Sequence, residues 1–212
     1  MREAPRRAGR PSVSVDRGWL LERARSVFAR AGYAGASLSV IAESTGLRKA
    51  SLLYHFRSKE VLYVEAMEDL VRRLAAPVLE VARRTGPFDE RLNALTLAVI
   101  DALAAEPEAA ALLVREVVDR GPYWSGDGRR PMLAALRMAR IFLLEGLPAD
   151  RDVDAVLRAI LGMHVLSFAV ADLTEELEER SPYAPGALAA WRLSLVGMVR
   201  AVCGLESRDG AA

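Results

Sequence analysis

Apolar residues recur at steps of three and four along most of the chain, and this spacing predicts helices. The first helix is predicted from Asp16 to Gly32, where a glycine can adopt the conformation that ends a helix. Two short helices are predicted next, at 38–45, with Ser37 as the N-cap, and at 49–56. The first third of the chain therefore predicts one medium helix followed by two short ones.

A long helix is predicted from near Lys59, with Ser58 as its N-cap, and Pro77 is predicted to bend or interrupt it. The Gly86-Pro87 pair ends its continuation. The remaining periodic segments predict five more helices, at 88–105, 107–120, 129–146, 150–180 and 185–205. The glycine- and proline-rich segment 121–128 is predicted to be a loop. No segment shows convincing strand alternation or an internal repeat, so the fold is predicted to be all-α.

The composition is that of a globular chain, with 52% hydrophobic and 27% charged residues among 212. A single cysteine, Cys203, excludes an intramolecular disulfide, and the two histidines are far apart, so we expect no metal site. The longest apolar uncharged run, 159–171, has 13 residues, whereas a membrane-spanning helix needs ~20. The first residues lack the apolar core of a signal peptide. We expect a cytoplasmic protein with no metal, cofactor or membrane contact.

Charge is distributed unevenly along the chain. Residues 1–60 hold twelve basic and five acidic residues, a net charge of +7, and the rest carries −6. The two lysines, Lys49 and Lys59, both fall in the basic part. This asymmetry is typical of a nucleic-acid-binding head on a ligand- or protein-binding body, although codon bias also explains rare lysine. Residues 1–15 are predicted to be a disordered basic arm that either follows the DNA or stays solvated.

The segment 38–56 has the spacing of a helix-turn-helix motif. Gly46 can take the positive φ of the turn, Ala42 is small enough for a close helix crossing, and Leu52 is expected to point inward. The second helix of this motif enters the major groove. Its exposed face carries groups that contact phosphates or base edges, namely Arg48, Lys49, Ser51, Tyr54 and His55. Lys59, at the start of the next helix, is a further candidate for a phosphate contact.

The region from Gly9 to Glu65 resembles the N-terminal domain of TetR-family transcriptional regulators. The resemblance is carried by the blocks ARAGY at 29–33, SVIA at 39–42, GLRKASL at 46–52, YHF at 54–56 and SKEVL at 58–62. It covers about a quarter of the chain. It implies an all-α protein with an N-terminal three-helix helix-turn-helix domain and a C-terminal helical bundle for ligand binding and dimerisation. The corresponding division is 1–15 for the arm, 16–60 for the DNA-binding domain and 61–212 for the ligand-binding and dimerisation domain.

The resemblance implies DNA contacts at seven positions, and the exposed face of the recognition helix adds Arg48. The full set is Ser37, Ser39, Arg48, Lys49, Ser51, Tyr54, His55 and Lys59. Two positions depart from the family pattern. Leu53 stands where the family usually has tyrosine, which puts one aromatic backbone contact in doubt. Arg48 stands where a small polar residue often caps the recognition helix; it cannot cap, but it can reach a guanine or a phosphate.

The body is predicted to dimerise, because one head contacts only a few base pairs and two heads must sit ~34–36 Å apart on DNA. The segment 159–171 is apolar on nearly every face, and the segment 193–202 is similar. We therefore expect a homodimer through the last two helices, as the resemblance also implies. The alternative is that these segments are ordinary core helices.

The resemblance further implies a small-molecule pocket between the middle helices. The candidate lining residues are Met67, Leu70, Leu97, Leu113, Trp124, Met138, Phe142, Met163, His164 and Phe168. Core packing is the alternative for each of them, and for His164 a satisfied core or interface histidine is the favoured interpretation. Trp124, with Tyr123, either forms a lid or covers the edge of the core. Because few charges fall in these stretches, an apolar or amphipathic effector is expected.

The sequence thus predicts a sequence-specific DNA-binding regulator of transcription: a ligand-released repressor that acts as a homodimer on an inverted-repeat operator in double-stranded DNA. The alternatives are a regulator controlled by a protein partner instead of a small molecule, and an activator. An enzyme is not expected, because the chain has neither a glycine-rich phosphate loop nor a nucleophile elbow.

Overall fold

The computed structural model describes residues 16–205, which fold into helices joined by short connections. These residues contain no strand, so the predicted all-α class is confirmed. The predicted basic arm, 1–15, lies outside the described residues. A short 3-10 helix at Asp127–Arg129 accompanies eleven α-helices: α1 (Arg17–Gly35), α2 (Leu38–Ser44), α3 (Lys49–His55), α4 (Lys59–Ala82), α5 (Phe88–Ala105), α6 (Ala109–Val118), α7 (Pro122–Ser125), α8 (Arg130–Gly146), α9 (Val153–Ala169), α10 (Ala171–Glu178) and α11 (Pro185–Val202).

Helices α1, α2 and α3 and the first turns of α4 share one apolar core, and we call this unit the head. Phe28 from α1, Ile41 from α2, Leu52 from α3 and Leu62 from α4 are each 0% exposed. Burying side chains of this size stabilises the fold by about 1.5–3 kcal/mol each. The two short helices are therefore held by tertiary packing, since isolated helices of seven residues are unstable in water.

Side-chain caps fix where three of the four head helices begin. Asp16 accepts a hydrogen bond from the Gly18 amide, Ser37 from the Val40 amide and Ser58 from the Val61 amide. Gly32 has a φ of +68°, so the regular part of α1 ends there, as predicted, although the helix resumes to Gly35.

Helices α5 to α11 form the body, and α4 connects it to the head. Helix α4 packs along α1 on the head side and along α5 on the body side. Helix α9 contacts α5, α6, α8 and α11, so it lies near the centre of the body. Helix α6 also contacts α1, which gives the body a second contact with the head.

Of the two effects predicted for Pro77, a bend or an interruption, the interruption is absent: α4 passes through Pro77, because its packing along α5 outweighs one lost hydrogen-bond donor. Two predictions about the helices were wrong. The segment 150–180 forms two helices that are bent by 64° where they meet at Val170. Phe168, at the end of α9, and Ala171, at the start of α10, are both buried.

The predicted loop at 121–128 also contains helix α7. Pro122 occupies the first turn of this helix, where a missing amide hydrogen costs nothing, and Tyr123 is 0% exposed. Burial of this aromatic ring holds the turn in place despite the surrounding glycines.

Within the described residues, no single helix is long and apolar enough to span a membrane, and only the bent pair α9 and α10 together reach that length and composition. No cluster of three or more histidine, cysteine, aspartate or glutamate side chains there is arranged to hold a metal ion.

Candidate nucleic-acid interface

The turn between α2 and α3 has the geometry that the spacing predicted. Gly46 has a φ of +64°, a region that residues with a side chain rarely adopt. The Leu47 amide donates to the Ala42 carbonyl at 2.9 Å, and the Thr45 hydroxyl donates to the same carbonyl at 2.8 Å. Ala42 is buried at the crossing. These contacts fix α3 relative to α2 and leave its outer face uncovered.

The outer face of α3 brings the predicted recognition residues together. Tyr54 is 87% exposed, and its ring meets the His55 ring edge to face at 5.7 Å. A shallow groove of about 460 Å³ runs along this face. It is lined by Leu47, Ala50, Ser51, Tyr54 and His55. Arg48 and Lys49 are exposed at the N-terminal end of the same helix. This face therefore offers hydroxyl, imidazole and cationic groups on a rigid support.

The start of α2 presents two exposed hydroxyl groups, from Ser37 and Ser39. The Ser37 oxygen accepts from the Val40 amide at 3.2 Å, which leaves its own hydrogen free to donate. Both serines therefore lie where a phosphate oxygen could accept a hydrogen bond from them.

Lys59 is engaged within the head. Its Nζ donates to the Ala34 carbonyl at 3.3 Å and lies 4.5 Å from the centre of the Tyr33 ring. These contacts join the start of α4 to the end of α1. A phosphate contact by Lys59, which the resemblance implies, requires that the ammonium leave or share these partners.

Sequence reasoning missed Arg17, which braces the far end of α3. Its Nη1 donates to the His55 carbonyl at 3.0 Å and its Nε to a Glu65 oxygen at 3.1 Å. Its guanidinium also lies 4.3 Å from the centre of the Phe56 ring. The partners are 38 to 48 residues away, so no local pattern in the sequence indicated the role.

The body candidates differ in their burial. Met67, Leu70, His164 and Phe168 are buried in the core, and Met138 is 60% exposed. The others are partly buried, namely Leu97, Leu113, Trp124, Phe142 and Met163. A cleft of about 290 Å³ lies between α1, α4 and the α5–α6 connection, and Leu70 is the one member of this set that lines it.

His164 has the contacts of a satisfied core histidine. Its Nδ1 lies 2.8 Å from the Ile160 carbonyl, and its Nε2 lies 3.3 Å from the Thr96 carbonyl. Burial lowers the pKa of His164 more than these carbonyls raise it. The neutral imidazole is therefore the favoured form in the folded protein.

Two buried polar groups connect the head to the body, and neither was predicted from the sequence. Arg25 of α1 is 3% exposed and donates to Asp69 of α4 at 2.6 Å, while Glu106 at the end of α5 lies 3.6 Å from its Nη2. Glu116 of α6 is 1% exposed and accepts from the Tyr63 hydroxyl of α4.

Glu116 also accepts a hydrogen bond from the Trp124 amide at 2.5 Å, which joins α7 to this link. Burial and the Glu116 carboxylate together raise the pKa of Tyr63 far above its usual value. The Tyr63 hydroxyl therefore stays protonated and acts as a donor. At Gly121, an added Cβ would lie within 3 Å of the Glu116 carboxylate, so the link also depends on this glycine.

Comparison with known proteins gives a consistent result. Residues 20–66 match the model of the bacterial regulatory proteins of the tetR family. The chain is similar to the HTH-type transcriptional activator FasR of Mycolicibacterium smegmatis, with 32% identity over 108 residues, 51% of this chain and 49% of FasR. It is also similar to the HTH-type transcriptional repressor KstR2 of Mycobacterium tuberculosis, with 33% identity over 91 residues, 43% of this chain and 46% of KstR2. The matched region thus spans about half the length of these curated relatives.

Solved structures extend the likeness to nearly the whole chain. The ketosteroid transcriptional regulator KstR2 of Mycobacterium tuberculosis superposes with a TM-score of 0.69 and 25% identity, over 92% of this chain and 96% of that one. FadR from Bacillus subtilis in complex with stearoyl-CoA superposes with a TM-score of 0.68 over 86% of this chain and 97% of that one; at 16% identity this shows a shared fold alone. Relatives and fold are those of transcriptional regulators, which confirms the prediction that the chain is not an enzyme.

Proposed function

We propose that this chain, which belongs to the tetR family of bacterial regulatory proteins, is a sequence-specific DNA-binding regulator of transcription that acts as a homodimer on an inverted-repeat operator. The observation that carries the proposal is the outer face of α3, which is rigidly held, exposed and lined by no carboxylate. A helix presented in this way fits the major groove of double-stranded DNA. Because its partner is DNA, we propose that the protein acts in the cytoplasm.

The contacts divide by their chemistry. We propose that Ser37, Ser39 and Lys49 bind phosphates, since hydroxyl groups and a flexible ammonium position a protein on the backbone without reading sequence. The groove-lining residues of α3, Ser51, Tyr54 and His55, are proposed to face base edges and the adjoining backbone, with Arg48 beside them. Lys59 contributes a phosphate contact only if it is released from Ala34 and Tyr33. The proposed unit that binds DNA is 16–60, and 61–212 is the proposed dimerising and ligand-binding unit.

We propose that the dimer forms through α9 and α11. Leu166 of α9 is 56% exposed and Leu193 of α11 is 79% exposed, although both lie on helices that also contribute to the core. Leu161 and Met198 add further exposed apolar surface on the same two helices. A second copy would cover this surface and place two heads on one face of the DNA.

A small apolar or amphipathic effector is proposed to control DNA binding, with the protein as a repressor that the ligand releases. The FadR neighbour, whose structure contains stearoyl-CoA, supports an amphipathic ligand for this fold. The ten body candidates named above, from Met67 to Phe168, would contact it after a local opening of the core, because four of them are buried and five are partly buried in the present state. Control by a protein partner remains the alternative, and both signs of regulation occur among the relatives, since FasR is an activator and KstR2 a repressor.

The proposed mechanism is a shift between two arrangements of the heads. A ligand that binds more tightly to the arrangement that cannot bind DNA lowers the affinity of the protein for DNA. The size of this decrease is set by the difference between the ligand's affinities for the two arrangements. Helix α4 carries the change because it contributes Leu62 to the head core and packs along α5 in the body.

The test is selection of bound sequences from random duplexes, followed by binding to the selected duplex over a salt series. We expect an enriched inverted repeat. Lys49→Ala is expected to flatten the salt slope by about one unit per protomer, because one phosphate contact is lost. Arg140→Ala removes an equal charge from the body and is the matched control, expected to leave the slope unchanged. Failure to enrich any repeat would refute the proposed function.

The effector is tested separately on the operator complex. Stearoyl-CoA is the first probe, since it is the amphipathic molecule that the FadR neighbour contains. We expect it to raise the melting temperature of the free protein and to release the operator, because it binds one state in preference to the other. Release without stabilisation, or stabilisation without release, would contradict the ligand-gated mechanism.

A further inference from the structure

Arg48 is the one helix-capping position in the head that holds no capping side chain. Helices α1, α2 and α4 begin with Asp16, Ser37 and Ser58, and each of these side chains accepts a hydrogen bond from a backbone amide. Arg48 has the extended backbone of an N-cap, with φ −80° and ψ 146°, but makes no such bond. A missing cap costs a helix about 0.5–2 kcal/mol. The absence of a capping side chain at one position on the proposed DNA-binding face indicates that the side chain present there has another function.

The guanidinium of Arg48 is also free of partners, whereas three other cations of the head are held by neighbouring residues. Arg17 is held by Glu65, Arg25 by Asp69, and Lys59 by Ala34 and Tyr33. The Arg48 side chain is exposed and makes no hydrogen bond or ion pair with any other described residue. The residues that line the neighbouring groove include no carboxylate that could compete for it. Its five donors are therefore available to a ligand.

The base of the Arg48 side chain is rigidly placed. Its carbonyl accepts from the Ser51 amide at 2.9 Å and from the Leu52 amide at 3.1 Å, so the backbone at Arg48 is fixed as the start of α3. The N-terminal residues of a recognition helix are the ones that meet base edges in the major groove.

Arg48 and Lys49 differ in the side of α3 on which they lie. Three and seven residues after Arg48 come Ser51 and His55, and both line the groove. The corresponding residues after Lys49 are Leu52 and Phe56, and both are buried in the head core. Arg48 therefore lies on the side of α3 that faces the groove of the protein. Lys49 lies on the side nearer the core of the head, and we expect that side to meet the phosphates that border the major groove of DNA.

The chemistry of the two side chains agrees with their positions. A guanidinium is a planar fork whose two parallel N–H groups match O6 and N7 of guanine, whereas an ammonium is a point charge suited to a phosphate. We propose that Arg48 is a specificity-determining residue that reads one guanine in each half of the operator through O6 and N7. This inference rests on the proposed function, and it adds the base that the recognition helix selects.

The experiment compares the sequences selected by the full-length wild type, Arg48→Ala and Arg48→Lys. The wild type is expected to enrich an inverted repeat with a strongly preferred guanine at one position of each half. Arg48→Ala should enrich a repeat of the same spacing in which this guanine is no longer preferred, and it is the decisive variant because it removes every donor. Arg48→Lys keeps the charge and loses the planar fork, but its ammonium can still donate to guanine, so we expect it to weaken the preference without abolishing it. Lys49→Ala is the matched control and should retain the guanine.

A second measurement replaces the guanine by 7-deazaguanine, which lacks the N7 acceptor. The replacement is expected to weaken wild-type binding markedly, within the roughly 5- to 150-fold range that a bidentate pair provides, and to leave binding by Arg48→Ala nearly unchanged. Circular dichroism melting of each variant verifies folding, which an exposed residue without partners should not affect.

The outcomes separate the inference from the function on which it rests. A guanine preference that survives unchanged in Arg48→Ala, or an equal loss of affinity for all duplexes in that variant, would overturn the inference while the regulator remains; the second result would assign Arg48 to a phosphate. The absence of any enriched repeat with the wild type would overturn the proposed function and the inference together.

Discussion

Asp69→Leu is expected to destabilise the protein strongly, because it leaves the Arg25 guanidinium buried without its main counter-ion. The Arg25 side chain is 4% exposed, and its Nη1 lies 2.6 Å from the Asp69 carboxylate. Removing one partner of a buried ion pair costs about 3–5 kcal/mol. We expect the lower end, about 3 kcal/mol, since Glu106 stays 3.6 Å from Arg25 as a weaker partner. For a chain of this size the melting temperature should fall by about 6–12 °C.

The double variant Arg25→Met, Asp69→Leu tests the cause. It removes both charges and fills the space with apolar groups, and such replacements are often neutral or stabilising. We therefore expect the double variant to be more stable than Asp69→Leu alone. The free energy of unfolding is measured by urea denaturation followed by circular dichroism, at one fixed protein concentration because the proposed protein is a dimer. If the double variant loses the sum of both single effects, packing rather than the buried charge dominates, and the reasoning fails.

The exposed pair of Arg140 and Asp154 is the control for this measurement. Both side chains are about half exposed, and their ends lie 2.7 Å apart. Exposed pairs contribute little because water screens them. Arg140→Ala should leave the urea midpoint unchanged within error.

Acid provides an independent measure of the same pair. Burial alone would raise the pKa of Asp69, but the hydrogen bond from Arg25 and the charges of Arg73 and Arg25 outweigh it and hold the pKa below its usual value. A carboxyl whose pKa is lower in the folded state stabilises the fold above its unfolded pKa of about 3.9 and loses this contribution as the pH falls. The difference in stability between wild type and Asp69→Leu should therefore shrink below about pH 4.

Three further predictions address other parts of the fold. Tyr63→Phe should cost about 1.5–3 kcal/mol in urea denaturation, because Glu116 loses a buried donor, and a smaller change would mean that the Trp124 amide suffices. The pKa of His164 is lowered in the folded state, so the unfolded chain binds protons more readily and the free energy of unfolding should decrease as the pH drops below about 6.5. His164→Gln should reduce this decrease, and an equal decrease in both proteins would exclude His164 as its source. Leu193→Arg, on the exposed side of α11, should shift the sedimentation profile toward monomer, and an unaltered profile at low concentration would count against the proposed dimer surface.

The head could be predicted from the sequence because its determinants are local. Gly46 has to supply a positive φ, and Ser37 and Ser58 cap helices that start one residue later. Each of these signals lies within a few residues of the feature that it specifies. The uncapped start of α3 at Arg48 was predicted for the same reason.

The bend between α9 and α10 could not be predicted, because no glycine or proline marks it. Val170 sits at the break, one residue before the end of the apolar run 159–171. The periodicity of one long helix and that of two bent helices is the same over this stretch. Tertiary packing decides between them, and that information is not local.

The pocket candidates show a related limit. Apolar character alone placed Met67 and Met138 in one set, yet the first is 0% exposed and the second 60% exposed. Both residues occur at helical spacing on amphipathic segments, so the pattern does not distinguish a core position from an exposed one. The pairing of Arg25 with Asp69, 44 residues away, cannot be predicted from local sequence patterns either.

The polar links also constrain how the proposed signal can pass from body to head. Arg25 ties α1 to α4 by a buried ion pair, and separating these two charges would cost several kcal/mol. We therefore expect α1 and α4 to move together as one rigid unit. The contacts that can be exchanged are those of α4 with the body. One is the pair of Arg73 with Glu106, which is partly exposed, and the other is the bond from Tyr63 to Glu116, in which only one donor has to be replaced. A change of head spacing that preserves the Arg25–Asp69 pair and breaks the Tyr63–Glu116 bond is thus the least costly path that this structure offers.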